Sequence, residues 1–207
     1  MLPIDFTVLY QPFALLLLAG SYIIGSISSA VLVSRSMGLA DPRTVGSGNP
    51  GATNVLRSGN KKAAALTLIG DLAKGLLPLL LARQLPVENE LLCAMALTAI
   101  IGHMYPLFLR FKGGKGVATT LGALLGVQPL LALIWILLWL SVAKLTRYSS
   151  LAALTATLSL PLIAWFGLQD PNITLLSSLI AILVSWRHRK NINNLLQGSE
   201  GQIGKGS

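Results

Sequence analysis

Charge is scarce: only 11% of the 207 residues are charged, where a soluble domain carries about a quarter. An ordinary water-facing surface is therefore excluded. Acids are scarcer still, with seven Asp and Glu against 16 Lys and Arg and a formal net charge of +9. Such an excess would suit nucleic acid, but no soluble face exists to carry it, so no nucleic-acid partner is expected. Cys93 is the only cysteine; it excludes an internal disulfide and, lying in an apolar run, reads as a packing thiol. There is no H-E-x-x-H, no cysteine pair and no cluster of acids among the basic loops, so no metal is expected. No G-x-S-x-G elbow is present, and neither His103 nor His188 is followed by Asp five positions later. A nucleophile-elbow hydrolase and a histidine–aspartate acyltransferase are thereby both set aside.

What is plentiful is apolar length. Hydrophobic residues make up 53%, the mean hydropathy is +0.69, and a membrane protein follows. About 20 apolar residues cross the hydrocarbon core, with a range of about 17 to 25. Phe13–Val33, Ala63–Ala82, Leu91–Leu109, Ser150–Leu168 and the shorter Ile173–Trp186 meet or approach that length. No Lys or Arg precedes the first of them, so it reads as a retained span and not as a signal peptide.

Val117–Lys144 is long for one span and short for two, and the charges decide it. Arg35, Arg43, Arg57, Lys61 and Lys62 occupy the first loop; Arg110, Lys112 and Lys115 precede Val117; Lys144 and Arg147 follow this piece; Arg187, Arg189, Lys190 and Lys205 fill the tail. Asp5, Glu88, Glu90 and Asp170 occupy the intervening connections with Arg83. Two crossings, turning through Gly126, Gln128 and Pro129, place 14 of the 16 cations on one side. The expected fold is an all-α integral membrane protein of about seven transmembrane helices, some short, in one domain over residues 1–207. The positive-inside rule puts its N-terminus outside and its C-terminus in the cytoplasm.

Ionised groups are costly at mid-membrane, yet Asp71 and Lys74 lie within the second span. Their i,i+3 spacing shares a helix face and predicts an ion pair or a contact that holds a neighbouring loop. His103 reads as a hydrogen-bonded packing residue, with the helix bending or ending at Pro106. The small residues Gly20, Gly25, Ser26, Ser28, Ser29 and Ala30 predict close helix packing.

Chemistry gathers in three loops. Gly46-Ser47-Gly48-Asn49-Pro50-Gly51-Ala52-Thr53-Asn54-Val55-Leu56-Arg57 satisfies G-x-G-x-x-G literally, but a dinucleotide fingerprint needs a preceding strand, and here a membrane helix precedes it. Glycines still let backbone N–H groups converge on an anion, Ser47, Thr53 and Asn54 add side-chain donors, and Arg57 supplies a bidentate fork. Phe111-Lys112-Gly113-Gly114-Lys115-Gly116-Val117-Ala118-Thr119 superficially resembles a Walker A motif, but Gly116 stands where Ser or Thr is required. Lysines among glycines at the head of a helix nonetheless suit phosphate. In Arg187-His188-Arg189-Lys190-Asn191-Ile192-Asn193-Asn194, the surrounding cations disfavour protonation of His188 and suit an anion. No cofactor is expected, so an enzyme built on these loops needs a substrate that brings its own reactivity.

The runs Gly46–Arg57, Gly102–Thr119 and Arg187–Asn194 closely resemble those of the bacterial membrane glycerol-3-phosphate acyltransferases that use acyl phosphate. The resemblance implies a bacterial cytoplasmic (inner) membrane enzyme that acylates glycerol 3-phosphate to 1-acyl-glycerol 3-phosphate and releases phosphate, the first acylation of phospholipid synthesis. It implies a lipid environment and coupling to an enzyme that makes acyl phosphate. Ser47, Arg57, Lys115, His188 and Asn191 are its expected catalytic residues. Gly46, Gly48, Asn49, Gly51, Thr53, Asn54, Lys112, Gly113, Gly114 and Arg187 are its expected binding residues. An organophosphate or organic-anion transporter is the alternative, as a basic, Gly-rich site also suits translocation; it predicts an internal repeat, and none is clear. A lipid-binding scaffold would not need phosphate-shaped loops.

Overall fold

Every regular element of the computed structural model, which describes residues 11–203, is helical. Asp5 and Lys205, assigned above to the outer face and the tail, lie outside the described residues. Helices satisfy their own backbone polar groups, which an apolar solvent cannot do. They are α1 (Pro12–Gly25), α2 (Ser29–Ser36), α3 (Ala52–Arg57), α4 (Lys61–Ala82), α5 (Asn89–Met104), α6 (Val117–Val127), α7 (Pro129–Thr146), α8 (Ser149–Ile163), α9 (Pro171–Arg187) and α10 (Arg189–Leu196). A 3₁₀ turn over Leu107–Leu109 follows α5, and a π-helical turn over Ala164–Leu168 follows α8. Four stretches have the length and apolarity of spans, or five when α1 and α2 count as one; α6 and α9 are shorter apolar helices. The chain is thus an all-helical integral membrane protein.

The first apolar run differs from expectation. It breaks at Ser26–Ser28 and bends by 42° between α1 and α2. Serine hydroxyls compete for helix backbone groups: Ser26 donates to the Tyr22 carbonyl at 2.8 Å, and Ser28 caps α2 by accepting from Val31 N–H at 3.5 Å. Only part of the small-residue stripe serves close packing. A Cβ on Gly25 would overlap the Ala99 carbonyl, and one on Gly102 the Tyr22 carbonyl, so α1 and α5 meet backbone to backbone; Gly20 faces open space.

The expected double crossing is interrupted at Gln128, which ends α6 and precedes α7. Arg83 donates to the carbonyls of Gly126 at 2.7 Å and Val127 at 2.8 Å, satisfying acceptors that a helix C-terminus leaves over. At only 11 residues, α6 is sheltered by protein: Thr119, Thr120, Gly122, Ala123, Leu124, Gly126 and Val127 are buried. Gly75 and Gly122 let it approach α4, since a Cβ on either would overlap backbone of the other helix.

Leu79, Met95, Ile100, Leu124, Leu131, Trp135, Leu160 and Ile180 form the buried core. The Trp135 N–H donates to Thr157 Oγ1 at 3.1 Å. Leu16, Leu81, Leu145, Phe166 and Ile182 face outward, an apolar exterior suited to lipid. Arg57, Arg147, Ser150 and the tail meet at one end of the bundle through contacts to Glu200, Gly201 and Ile203.

Candidate active site

Loop 1 is shaped by a single side chain. Asn54, buried on α3, accepts the Ser47 N–H at 2.9 Å and donates its amide hydrogens to the carbonyls of Pro42 at 2.8 Å and Val45 at 3.1 Å. Gly46 and Gly48 turn through φ of 58° and 69°, conformations glycine adopts readily. Asn54 therefore holds the loop, and its donors are not directed at a ligand. The expected nest is correspondingly smaller: Ser47, Gly48 and Gly51 N–H are used inside the loop, while Gly46 and Asn49 N–H find no backbone acceptor among the described residues. Ser47 and Thr53 are exposed, Asn49 and Gly51 partly so. Arg57, at the end of α3, donates Nη2 to the Gly201 carbonyl at 2.9 Å.

Loop 2 is gripped from both sides. Gly113 N–H donates to the Met104 carbonyl at 3.2 Å and Gly114 N–H to the His103 carbonyl at 3.1 Å. Their own carbonyls accept from Arg187, Gly114 from Nε at 3.0 Å and Gly113 from Nη2 at 2.5 Å. The Arg187 guanidinium lies 5.3 Å from the centre of the Tyr105 ring, within cation–π range. Gly113 and Gly114 are thus a buried platform, and the amides without a backbone acceptor among the described residues run from Lys115 to Thr119, at the head of α6. Lys115 is partly buried whereas Lys112 is exposed.

Glu200 is the residue that the loop motifs do not announce. One carboxylate oxygen accepts from Ser150 Oγ and from Asn191 Nδ2, both at 2.7 Å, and the other from Asn194 Nδ2 at 3.3 Å. Arg147 and Ile203 also pair, the Ile203 N–H donating to the Arg147 carbonyl at 2.7 Å. The tail therefore straps the start of α8 to α10 and Arg57. The local signal for Glu200 was its isolation, as it and Asp41 are the only acids assigned to the basic side. Asp41 is occupied elsewhere, in an exposed pair with Arg43.

Burial and neighbouring charges set the protonation of this end. Burial is the main cause that lowers the Lys115 pKa to about 8; Glu200 opposes it, and Arg57 and Arg187 add to the depression. His188 is lowered to about 4, first by burial and then by Lys115, against the Val184 carbonyl and Glu200. Its Nδ1 lies 2.8 Å from the Val184 carbonyl. A carbonyl only accepts, so Nδ1 carries the proton and Nε2 is left as a neutral acceptor. Arg57, Lys115, Arg187, His188 and Asn191 are thus joined through direct bonds, shared partners or electrostatic influence. Ser47, Thr53 and Lys112 remain on the open surface.

The described residues hold no group of three or more His, Cys, Asp or Glu able to bind a metal. The family model described as "Glycerol-3-phosphate acyltransferase" matches residues 15–198. A protein of that name from Neisseria meningitidis is 56% identical over 191 residues, covering 90% of this chain and 96% of its own. Another from Methylobacillus flagellatus is 54% identical, covering 90% and 95%. The crystal structure of PlsY (YgiH), an integral membrane glycerol 3-phosphate acyltransferase, superposes in its glycerol 3-phosphate form with a TM-score of 0.87 at 41% identity, covering 93% of this chain and 96% of that one. Its lysophosphatidic acid form gives 0.85 at 40% identity with the same coverage. From the three loops, the helical frame that joins them and these matches over nearly the whole length, this chain belongs to the glycerol-3-phosphate acyltransferase family.

Proposed function

We propose that the chain transfers a fatty acyl group from acyl phosphate to the 1-hydroxyl of glycerol 3-phosphate, giving 1-acyl-glycerol 3-phosphate and phosphate. It does so at the cytoplasmic face of a bacterial inner membrane, as one seven-pass domain. The observation that carries this reading is the convergence of Arg57, Lys115, Arg187, His188 and Asn191 at one end of the bundle, beside two glycine-rich loops. Polar chemistry concentrated at one end suits an interfacial transferase; a transporter would need it near mid-bilayer between repeats.

Lys115, Arg57, Asn191 and the amides at the head of α6 bind glycerol 3-phosphate, the phosphate dianion restoring the charge that burial disfavours on Lys115. His188 Nε2 accepts from a glycerol hydroxyl and orients it. Loop 1, with Ser47, Asn49, Thr53 and the amides of Gly46 and Asn49, holds the donor headgroup while Asn54 keeps its shape. Gly51 is the extended residue at the N-cap of α3 there, and Lys112 an exposed cation on the approach. The acyl chain lies along an apolar groove open to lipid.

Acyl phosphate is a mixed anhydride, so no covalent enzyme intermediate is needed. The hydroxyl oxygen attacks the acyl carbon, the bond from that carbon to the phosphate oxygen breaks, and the hydroxyl proton leaves on the departing phosphate. His188, with a pKa of about 4, is too weak a base to compete with a phosphate oxygen whose pKa is about 6. The cationic cluster stabilises charge developing on the carbonyl oxygen and the leaving group.

The test offers purified protein acyl phosphate, acyl-CoA or acyl carrier protein as donor, with glycerol 3-phosphate. Phosphate release with acyl phosphate alone is expected. Lys115→Ala and Arg57→Ala should each lose most turnover while remaining inserted; near-normal turnover in either sinks the assignment of those residues.

A further inference from the structure

Three buried polar side chains have no task in the scheme above. Asp71 and Lys74 on α4 and His103 on α5 are only 3%, 6% and 6% exposed. Lys74 Nζ lies 2.9 Å from Asp71 Oδ1 and donates to the Ile27 carbonyl at 2.8 Å, in the break between α1 and α2. His103 Nδ1 lies 3.6 Å from the same Asp71 oxygen.

The opposite edge of the His103 ring reaches loop 2. A Cβ on Gly114 would overlap His103 Nε2, and Gly114 N–H donates to the His103 carbonyl. One small cavity is lined by Ser26, Ile27, Pro50, Lys74, His103 and Gly114. The α1–α2 break, loop 1 and loop 2 therefore all abut these side chains.

Packing alone does not call for such a group. A buried ion pair is weak evidence for stability, since apolar replacements of both partners are often as stable, and fixing one arrangement is its better-attested use. Here the pair and the imidazole link a discontinuous backbone to the floor under Gly114. Arg187 holds the carbonyl side of the same two residues. With both sides fixed, the chain leaves Gly114 in one direction, and that direction sets where Lys115 and the head of α6 point.

We propose that Asp71, Lys74 and His103 are positioning residues for the reaction: without touching substrate, they seat loop 2 against the α1–α2 break and so place Lys115 and its neighbouring amides for the acceptor phosphate. The proposal rests on the assignment of loop 2 to glycerol 3-phosphate. It separates this trio from a mere helix-packing role, because it predicts a defect in one substrate's binding and not in the fold.

The experiment uses detergent-purified full-length enzyme and measures KM for each substrate, kcat and the thermal unfolding midpoint. Single neutralisation strands a buried charge, so the key variant is the double Asp71→Asn, Lys74→Met. It should remain folded with a single unfolding transition, with KM for glycerol 3-phosphate raised about tenfold while kcat and the donor KM change less than about threefold. Asp71→Glu, which keeps the charge but displaces the carboxylate, is the second variant and should show the same split. Gly114→Ala, which pushes on His103 directly, should raise the same KM, and its combination with the double should add less than the sum. A parental KM in the folded double, or a loss confined to kcat, overturns the proposal; so does a parental KM in Asp71→Glu if the double does not fold. A parent that releases no phosphate from acyl phosphate instead overturns the assigned reaction. The same variants are then compared by calorimetric binding of glycerol 3-phosphate, where unchanged affinity counts against the positioning role and weakened affinity supports it.

Discussion

The alkaline limit of activity should belong to a single ammonium group. Lys115 has a pKa of about 8, chiefly through burial, and a neutral amine there does not attract the acceptor phosphate. Because kcat/KM reports groups of the free enzyme, its value for glycerol 3-phosphate should follow the protonated fraction of Lys115. That fraction is about ten-elevenths at pH 7 and about one-eleventh at pH 9, a loss of about tenfold, with a further tenfold for each unit beyond. The sign is unambiguous: the required form is the charged one, so activity is lost as pH rises. His188, at about 4, stays neutral over this range and adds no limb. On the acid side, the substrate's own second phosphate ionisation, near about 6, removes charge from the ligand. The assay is initial phosphate release with both substrates well below their KM and at fixed ionic strength, from pH 6 to 10. In Lys115→Arg the guanidinium remains charged throughout, so the limb near pH 8 should vanish whatever the height of the plateau. A limb that persists at pH 8 in Lys115→Arg, or a wild-type limb at the ordinary lysine value, refutes the reasoning.

Glu200→Gln removes the carboxylate that opposes the depression of Lys115, so the same limb should move to lower pH; an unmoved limb would show that Glu200 has no electrostatic hold on Lys115. Thr157→Val leaves the buried Trp135 N–H without its acceptor and should cost about 1–3 kcal/mol in reversible unfolding. Gly25→Ala drives a methyl group into the Ala99 carbonyl and should cost about 1–3 kcal/mol by the same measurement, while Gly20→Ala, facing open space, should be nearly silent. His188 is held below its ordinary value in the folded chain, so the unfolded chain binds more protons between pH 6.5 and about 4. Stability should therefore fall as pH falls through that window, by up to about 3 kcal/mol from this residue, and His188→Asn should flatten the slope of the unfolding midpoint against pH.

Much of this molecule was legible where one physical constraint dominates. Pro129 after a polar Gln128 marks the boundary between α6 and α7, and two cations assigned to one side from separate loops, Arg57 and Arg147, do meet the same tail. The Asp71–Lys74 pair followed from helix spacing and the cost of isolated charge in an apolar medium. The break at Ser26–Ser28 was hidden because hydropathy hardly changes across it; two hydroxyls choosing local backbone partners decide the matter. Asn54 was readable as a polar member of loop 1, but not as its clamp, since nothing local says whether an amide faces a ligand or the carbonyls of Pro42 and Val45. Glu200 lies 50 residues from Ser150, and only the folded chain makes them neighbours.

The strap formed by the tail also bears on biosynthesis. Glu200 and Gly201, which close on Asn191, Ser150 and Arg57, are translated after every helix described above. A nascent chain can therefore have all its apolar segments in the bilayer while the active end is still unfastened. A chain halted just before residue 200 would have every helix from Pro12 to Leu196 but none of the contacts that tie Ser150, Asn191 and Arg57 to Glu200 and Gly201.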